Sequence, residues 1–435
     1  MRRYGALLLI LAITSLLTVP VSAAPKMQLE TRLTWDLDMV NSTETGYTGK
    51  GVYVAVLDTG LAPNWKDYFP PERVATHLGK GFKEDVKWDQ KLGDFVETGR
   101  VYETTYIGST GSTHGTHVTS TIIGYNYYSP SDELGGLPLN PVFIQGVAPD
   151  VTVIPVKVLS DYNLHGERLV FGTDRAVAAG IRYATDLAIA GYRPMVITMS
   201  LGGPEPSNIL EEAIDYAIAN GVIVVASAGN EGEAGMGWPG AYQQVISVGA
   251  CGWKYEWYWP EYDDPPPRYR LWWLQDSTYG YNDVAERDQG LLNEVYICDF
   301  SSRGLEGQDL DVVAPGSWVR GPYPGAPGYS HLPWWSEGHP RGIPRGGSFF
   351  YVGGTSMAAP HVTGIVAMML EKNPTLTQAQ VEEILENTAL PIPPGSMTVW
   401  DLYPTEGWHT YVWGKEATGS GLVQADSAVA SVTYP

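Results

Sequence analysis

Val52-Tyr53-Val54-Ala55-Val56-Leu57 runs without a break into Asp58-Thr59-Gly60, and the fold is decided by how this passage is read. A strand with one wet face alternates apolar and polar residues, whereas a near-continuous apolar run marks a strand covered on both faces, as in a parallel sheet between helices. In open sheets of that kind, binding and chemistry collect beyond the carboxyl ends of the strands. Asp58 falls at such an end. An aspartate there could equally cap the following turn, so its role depends on what else converges on it.

Four further strand candidates follow at α/β spacing: Val151 to Leu159, Met195 to Leu201, Val222 to Ala228 and Val245 to Ala250. Helical runs at Leu169 to Ala190 and Ile209 to Ala219 lie between them, the second opened by Ser207 as a cap and closed by Asn220-Gly221. Alternation of this kind predicts an α/β fold, a mostly parallel, doubly wound sheet with helices on both faces. After Asn373-Pro374 an amphipathic helix is expected to Leu385, and the tail to Pro435 reads as closing strands and turns.

Gly353-Gly354-Thr355-Ser356-Met357-Ala358-Ala359-Pro360-His361-Val362 places a serine at the mouth of a run that is apolar almost all round. This predicts a buried helix with Ser356 in its first turn and Pro360 where no intrahelical N–H is lost. The positive end of the helix field favours negative charge developing beside that hydroxyl. Thr113-His114-Gly115-Thr116-His117-Val118 opens another helix, with Gly115 admitting close approach to the imidazole of His114. Two histidines three apart could also hold a metal, but no third ligand accompanies them. Asp58, His114 and Ser356 together supply what acyl transfer by a hydroxyl needs. The imidazole takes the hydroxyl proton, and the carboxylate fixes its tautomer and stabilises it once charged. Ser356 N–H and the Asn230 side-chain amide are the expected donors to the oxyanion.

VAVLDTG at Val54 to Gly60, HGTHV at His114 to Val118, SLGG at Ser200 to Gly203, SAGNEG at Ser227 to Gly232 and GTSMAAPHV at Gly354 to Val362 resemble, in order, the motifs of the subtilisin-like serine proteases. The resemblance implies Asp58 as orienting carboxylate, His114 as general base and then acid, Ser356 as nucleophile and Asn230 as oxyanion donor. It further implies that Ser200, Leu201 and Gly202 pair with the substrate backbone by edge addition. Ala228, Gly229 and Gly237 would line a specificity pocket, with Glu231 at its rim. Gln28 and Asp67 match two ligands of a structural calcium site common in the family, whose completing loop is replaced here by Tyr125 to Ile144 with Asp132 and Glu133. The long pro-segment usual in the family has no counterpart, since Gln28 to Gly51 already resembles the start of the catalytic domain.

Met1-Arg2-Arg3, the apolar run Ala6 to Val19 and the small residues Val21-Ser22-Ala23 read as a secretory signal, residues 1–23. Secretion is expected, with residues 24–435 forming one peptidase domain carrying insertions at about 64–111, 251–298 and 317–350. No later segment is long and apolar enough to span a membrane. A formal net charge of −21 speaks against nucleic acid and anionic membranes as partners and is compatible with bound cations. Cys251 and Cys298, the two cysteines of an exported chain, are expected to form a disulfide closing the second insertion. Trp253, Trp257, Trp259, Trp272, Trp273 and Pro265-Pro266-Pro267 crowd that insertion, and Trp318, Trp334 and Trp335 the third. Such rings either pack on each other or recruit a partner. The expected function is a secreted endopeptidase acting on polypeptides. A ligase or cyclase using the same triad and a non-catalytic binding module of the same fold are the alternatives.

Overall fold

The computed structural model describes residues 29–109, 113–127, 141–164, 166–256, 291–325, 332–335 and 348–435. The expected signal at 1–23, Gln28, Asp132, Glu133 and the tryptophans from Trp257 to Trp273 lie outside the described residues. Among those described, a main sheet contains β1 (Tyr53–Asp58), β2 (Lys80–Asp89), β3 (Asp94–Thr104), β4 (Thr152–Lys157), β5 (Met195–Met199), β6 (Ile223–Ser227), β7 (Ile246–Trp253), β8 (Val295–Ile297) and β9 (Val312–Pro315). Their spatial order is β8-β7-β6-β5-β1-β4-β2-β3, with β9 also beside β7. Pairing is parallel from β7 through β2, and antiparallel between β2 and β3 and between β7 and β8.

The helices are α1 (Trp35–Met39), α2 (His114–Ile123), α3 (Asp174–Ile189), α4 (Asn208–Ala219), α5 (Thr355–Lys372), α6 (Gln378–Thr388) and α7 (Ala425–Ser431). Strand residues alternate between two cores, which is why β1 reads as apolar throughout. Val54 and Val56 join the core that contains α2 and α5, while Ala55 and Leu57 join that of α3 and α4. By the same parity Asp58 turns to the α2 and α5 side. The chain passes from β1 to β4 on one flank and then to β5 on the other, so the order switches beside β1, where a doubly wound sheet opens a crevice.

Several expectations shift. The run from Leu169 becomes helical only at Asp174, where Thr173 accepts from Ala176 N–H at 3.2 Å; Leu169 itself lies in a hairpin of Ser160–Leu164 with Glu167–Phe171. Ser207 stands at the mouth of α4 but makes no side-chain cap. Its backbone N–H and carbonyl instead meet the Tyr242 hydroxyl at 2.7 and 2.9 Å. The polar stretch after Asn64 contributes the β2–β3 hairpin that extends the sheet, and the tail holds the paired strands Gly395–Asp401 and Gly407–Trp413 and then α7.

Both cysteines are free thiols, buried within the core. The antiparallel register sets Cys251 opposite Ile297, and Cys298 bonds through its N–H to the carbonyl of Ala250, one residue out of line. The two thiols are not bridged, so the expected disulfide is not seen in this structure. Burial raises both thiols well above their usual range. The native chain is expected to be inert to a thiol reagent and to titrate two thiols once denatured without reductant; none after denaturation would restore the disulfide. Trp253 stacks on Trp35 at 6.2 Å, and Trp318 is buried with its indole N–H on Asp401 Oδ1 at 3.1 Å. These two rings serve the core.

A buried pair ties the N-terminal segment to α5. His361 Nδ1 meets the Met357 carbonyl at 2.9 Å and Nε2 meets Asp36 Oδ2 at 3.0 Å, with both side chains at 5 % exposure or less. Burial alone would raise the Asp36 carboxyl, but the hydrogen bond and charge of His361 more than offset it and leave it below its ordinary 3.8. A carboxylate lowered on folding contributes stability above its unfolded pKa and loses it as pH falls through the folded value. Asp36→Asn is expected to cost about 3–5 kcal/mol at neutral pH. The difference from wild type should shrink below about pH 4, as urea unfolding against pH will report.

Candidate active site

Asp58 ends β1 fully buried, and both its oxygens lie 2.9 Å from His114 Nδ1. Thr59 N–H also reaches Asp58 Oδ1, at 2.6 Å, and the Thr59 hydroxyl accepts from Gly115 N–H at 2.9 Å. The second bond locks the first turn of α2 onto the end of β1. A Cβ on Gly115 would lie 2.7 Å from the Gly60 carbonyl oxygen and 3.0 Å from Asp58 Cβ, so only glycine allows this approach. Burial pulls the His114 pKa down, but the charge and hydrogen bond of Asp58 outweigh it and hold the imidazole above its ordinary 6.5. His117, one turn on, is buried with Nε2 3.1 Å from the Val319 carbonyl. Desolvation, aided by the nearby His114, lowers it to about 3. It is a neutral structural residue, and the two histidines do not act as a pair.

Ser356 occupies the second position of α5 and is 8 % exposed. The helix starts at Thr355, which puts Pro360 in its second turn, past the free N–H groups where it was expected. A proline there leaves the carbonyl four residues back, that of Ser356, without its helical donor. The Ser200 hydroxyl fills that place at 2.8 Å, while Ser356 Oγ donates to the Ser200 carbonyl at 3.3 Å. This reciprocal pair fastens α5 to the chain leaving β5. Among the described residues no hydrogen bond joins Ser356 to His114, so Oγ must rotate off the Ser200 carbonyl to engage the imidazole; such contacts are commonly loose without substrate.

Asn230 is oriented by its neighbour. Its Oδ1 accepts from Thr355 N–H at 2.8 Å and from the Thr355 hydroxyl at 3.0 Å, so both donors of Nδ2 remain for another acceptor. Met357 N–H is occupied by the Gly354 carbonyl at 2.9 Å. Among the described residues, nothing occupies Ser356 N–H. Two donors, one backbone and one side chain, thus stand beside the serine.

A cavity of about 810 Å³ opens next to Ser356 and Asn230. Gly229, Gly237 and Glu231, read as pocket residues, lie in its lining, and so do Leu201 and Gly202, read as partners of the substrate backbone. Ser200 instead holds Ser356, and Ala228 lies fully buried behind the lining. Glu231 Oε2 folds back to Asn230 N–H at 2.7 Å and the Ser302 hydroxyl at 3.3 Å, bracing the loop as well as facing the cavity. Residues that sequence reading did not anticipate complete it: Met236, Trp238 and the stretch from Leu305 to Gln308. Asp67 is exposed, with Oδ2 on Asn64 Nδ2 at 3.1 Å. Among the described residues no three His, Cys, Asp or Glu side chains gather around Asp67; a calcium there would draw on backbone and amide carbonyls as well, and no step is assigned to calcium.

Comparison with known proteins follows the same lines. The profile of the subtilase family matches residues 49–421. Subtilisin DY of Bacillus licheniformis is 31% identical over 348 residues, 79% of this chain and 85% of that protein. Fervidolysin of Fervidobacterium pennivorans is 29% identical over 91% of this chain, which spans 43% of fervidolysin. Among solved structures, sphericase shares the fold with a TM-score of 0.55 at 24% identity, covering 90% of this chain and 98% of sphericase. The chain belongs to the subtilase family. It is a serine endopeptidase, a hydrolase of the α/β subtilisin fold.

Proposed function

We propose that Asp58, His114 and Ser356 form the catalytic triad of this endopeptidase, and that Ser356 N–H and Asn230 Nδ2 bind the oxyanion. The observation that carries the reading is the joint orientation of Asn230 and Ser356. Thr355 fixes the amide oxygen, which leaves Asn230 Nδ2 and Ser356 N–H without an acceptor among the described residues. Ser356 Oγ attacks the peptide carbonyl carbon as His114 Nε2 takes its proton. The tetrahedral intermediate then collapses, the C–N bond breaks, and His114 returns the proton to the leaving amine. Water, deprotonated by His114, attacks the resulting ester and releases the new carboxyl group and the Ser356 hydroxyl. Leu201 and Gly202 bind the substrate backbone, and the adjoining cavity receives the side chain before the cut.

Digestion of a denatured protein in ¹⁸O water tests this. Internal cuts, each new carboxyl carrying the label, are expected from wild type and not from Ser356→Ala. Trimming from the ends alone, or joined peptides without label, would contradict it. Secretion through residues 1–23 belongs to the same proposal, as does a structural calcium near Asp67. Chelation is then expected to lower the unfolding temperature without changing the kinetics of the intact enzyme, as scanning calorimetry and peptide assays can check.

A further inference from the structure

The cavity beside Ser356 has two walls from distant parts of the chain. One is the stretch around Gly235, Met236 and Trp238; the other is Leu305 to Gln308. The second wall stands apart from the proposed triad and oxyanion donors, yet it is tied to the first by a single side chain. Gln308 Oε1 accepts from Met236 N–H at 2.8 Å, and its Nε2 donates to the Met236 carbonyl at 3.0 Å. One amide thereby satisfies both backbone groups of Met236, as a strand partner would. The same Oε1 accepts from Leu305 N–H at 3.3 Å, which folds the second wall back on itself.

The two walls touch without slack. At Gly235, φ is +103°, and an added Cβ would stand 2.8 Å from Leu305 Cδ1 and 3.1 Å from Gln308 Oε1. Beneath the first wall Met236 packs with Ala228, Ala241 and Leu310, so that side cannot yield. Leu305 on the other side is 44 % exposed.

We propose that Gln308 is a specificity-determining residue. By clasping Met236 it holds the Leu305 wall at the distance that grips a large apolar side chain on both faces, and a small side chain never reaches that wall. The inference rests on the protease reading above and names what its pocket selects. Contacts that a hydrophobic pocket makes with a large side chain set the achievable discrimination, and losing one wall removes much of it.

The test uses two peptide substrates that differ only in phenylalanine or alanine before the scissile bond. For Gln308→Ala, the ratio of kcat/KM for the phenylalanine to the alanine peptide is expected to fall about tenfold or more, chiefly through KM. The loss should fall more heavily on the phenylalanine peptide than on the alanine peptide, with the pH profile of both unchanged. A ratio equal to that of wild type overturns the proposal, whether both peptides suffer together or neither does. Gln308→Glu is the second variant, for use if the alanine variant does not fold. It keeps an acceptor for Met236 N–H but sets an oxygen against the Met236 carbonyl, and the same fall in ratio is expected. A wild-type chain that hydrolyses neither peptide overturns the protease reading, and this proposal with it.

Discussion

Ser356→Ala and His114→Ala are each expected to lower kcat by about a millionfold, the magnitude that the same losses have in subtilisin. Either change removes the attack, because a serine without base and a base without serine fail alike. Asp58→Asn is expected to cost about 10⁴-fold, since an amide facing Nδ1 favours the wrong tautomer. The pH profile separates this from unfolding. Asp58 holds His114 above 6.5 against the pull of burial, so kcat/KM should rise with pH through a midpoint above 6.5 as the imidazole loses its proton. In Asp58→Asn the residual activity should show that midpoint displaced downward, because burial persists and the opposing charge has gone. An unshifted midpoint would mean that the Asp58 to His114 contact does not govern the base.

Asn230→Leu carries the second large effect. Removal of Nδ2 is expected to lower kcat about 10²- to 10³-fold with little change in KM, because the donor meets charge that develops only in the transition state; subtilisin again supplies the magnitude. Thr355→Val should reproduce a small part of that loss. It removes the hydroxyl that donates to Asn230 Oδ1 at 3.0 Å and leaves the backbone N–H at 2.8 Å. Equal losses in kcat and in ground-state binding would instead make Asn230 an ordinary substrate contact. Steady-state kinetics on one peptide decides between the two.

How far the sequence anticipates this molecule depends on whether a feature is local. The core strands were legible because a parallel strand between two helical layers has no polar face, and β1 announces that in a few residues. The placement of Asp58, His114 and Ser356 at element ends followed from the same reading. Gly115 was legible too, since one missing Cβ explains the close approach of α2. What failed was set at a distance. Leu169 has an apolar neighbourhood that suits a helix, yet the cap that starts α3 is Thr173. Pro360 looked like an N-terminal proline, and its place in the second turn is tolerated only because Ser200, far along the chain, supplies the missing donor. Cys251 and Cys298 suggest a bridge by count and compartment, but both stand as free thiols inside the core. The Leu305 wall left no signature at all, because a side-chain amide clasping a backbone 72 residues away has no spacing rule.

The central claim is that Ser356 is an activated nucleophile in the folded chain. A fluorophosphonate probe tests it most directly, with the labelled peptide located by mass spectrometry and Ser356→Ala run beside wild type. The account predicts one adduct per chain, on the peptide containing Ser356, formed faster as pH rises through the His114 midpoint and absent from the variant. A demonstrably folded wild-type chain that stays unlabelled, or that labels equally well without Ser356, would contradict it.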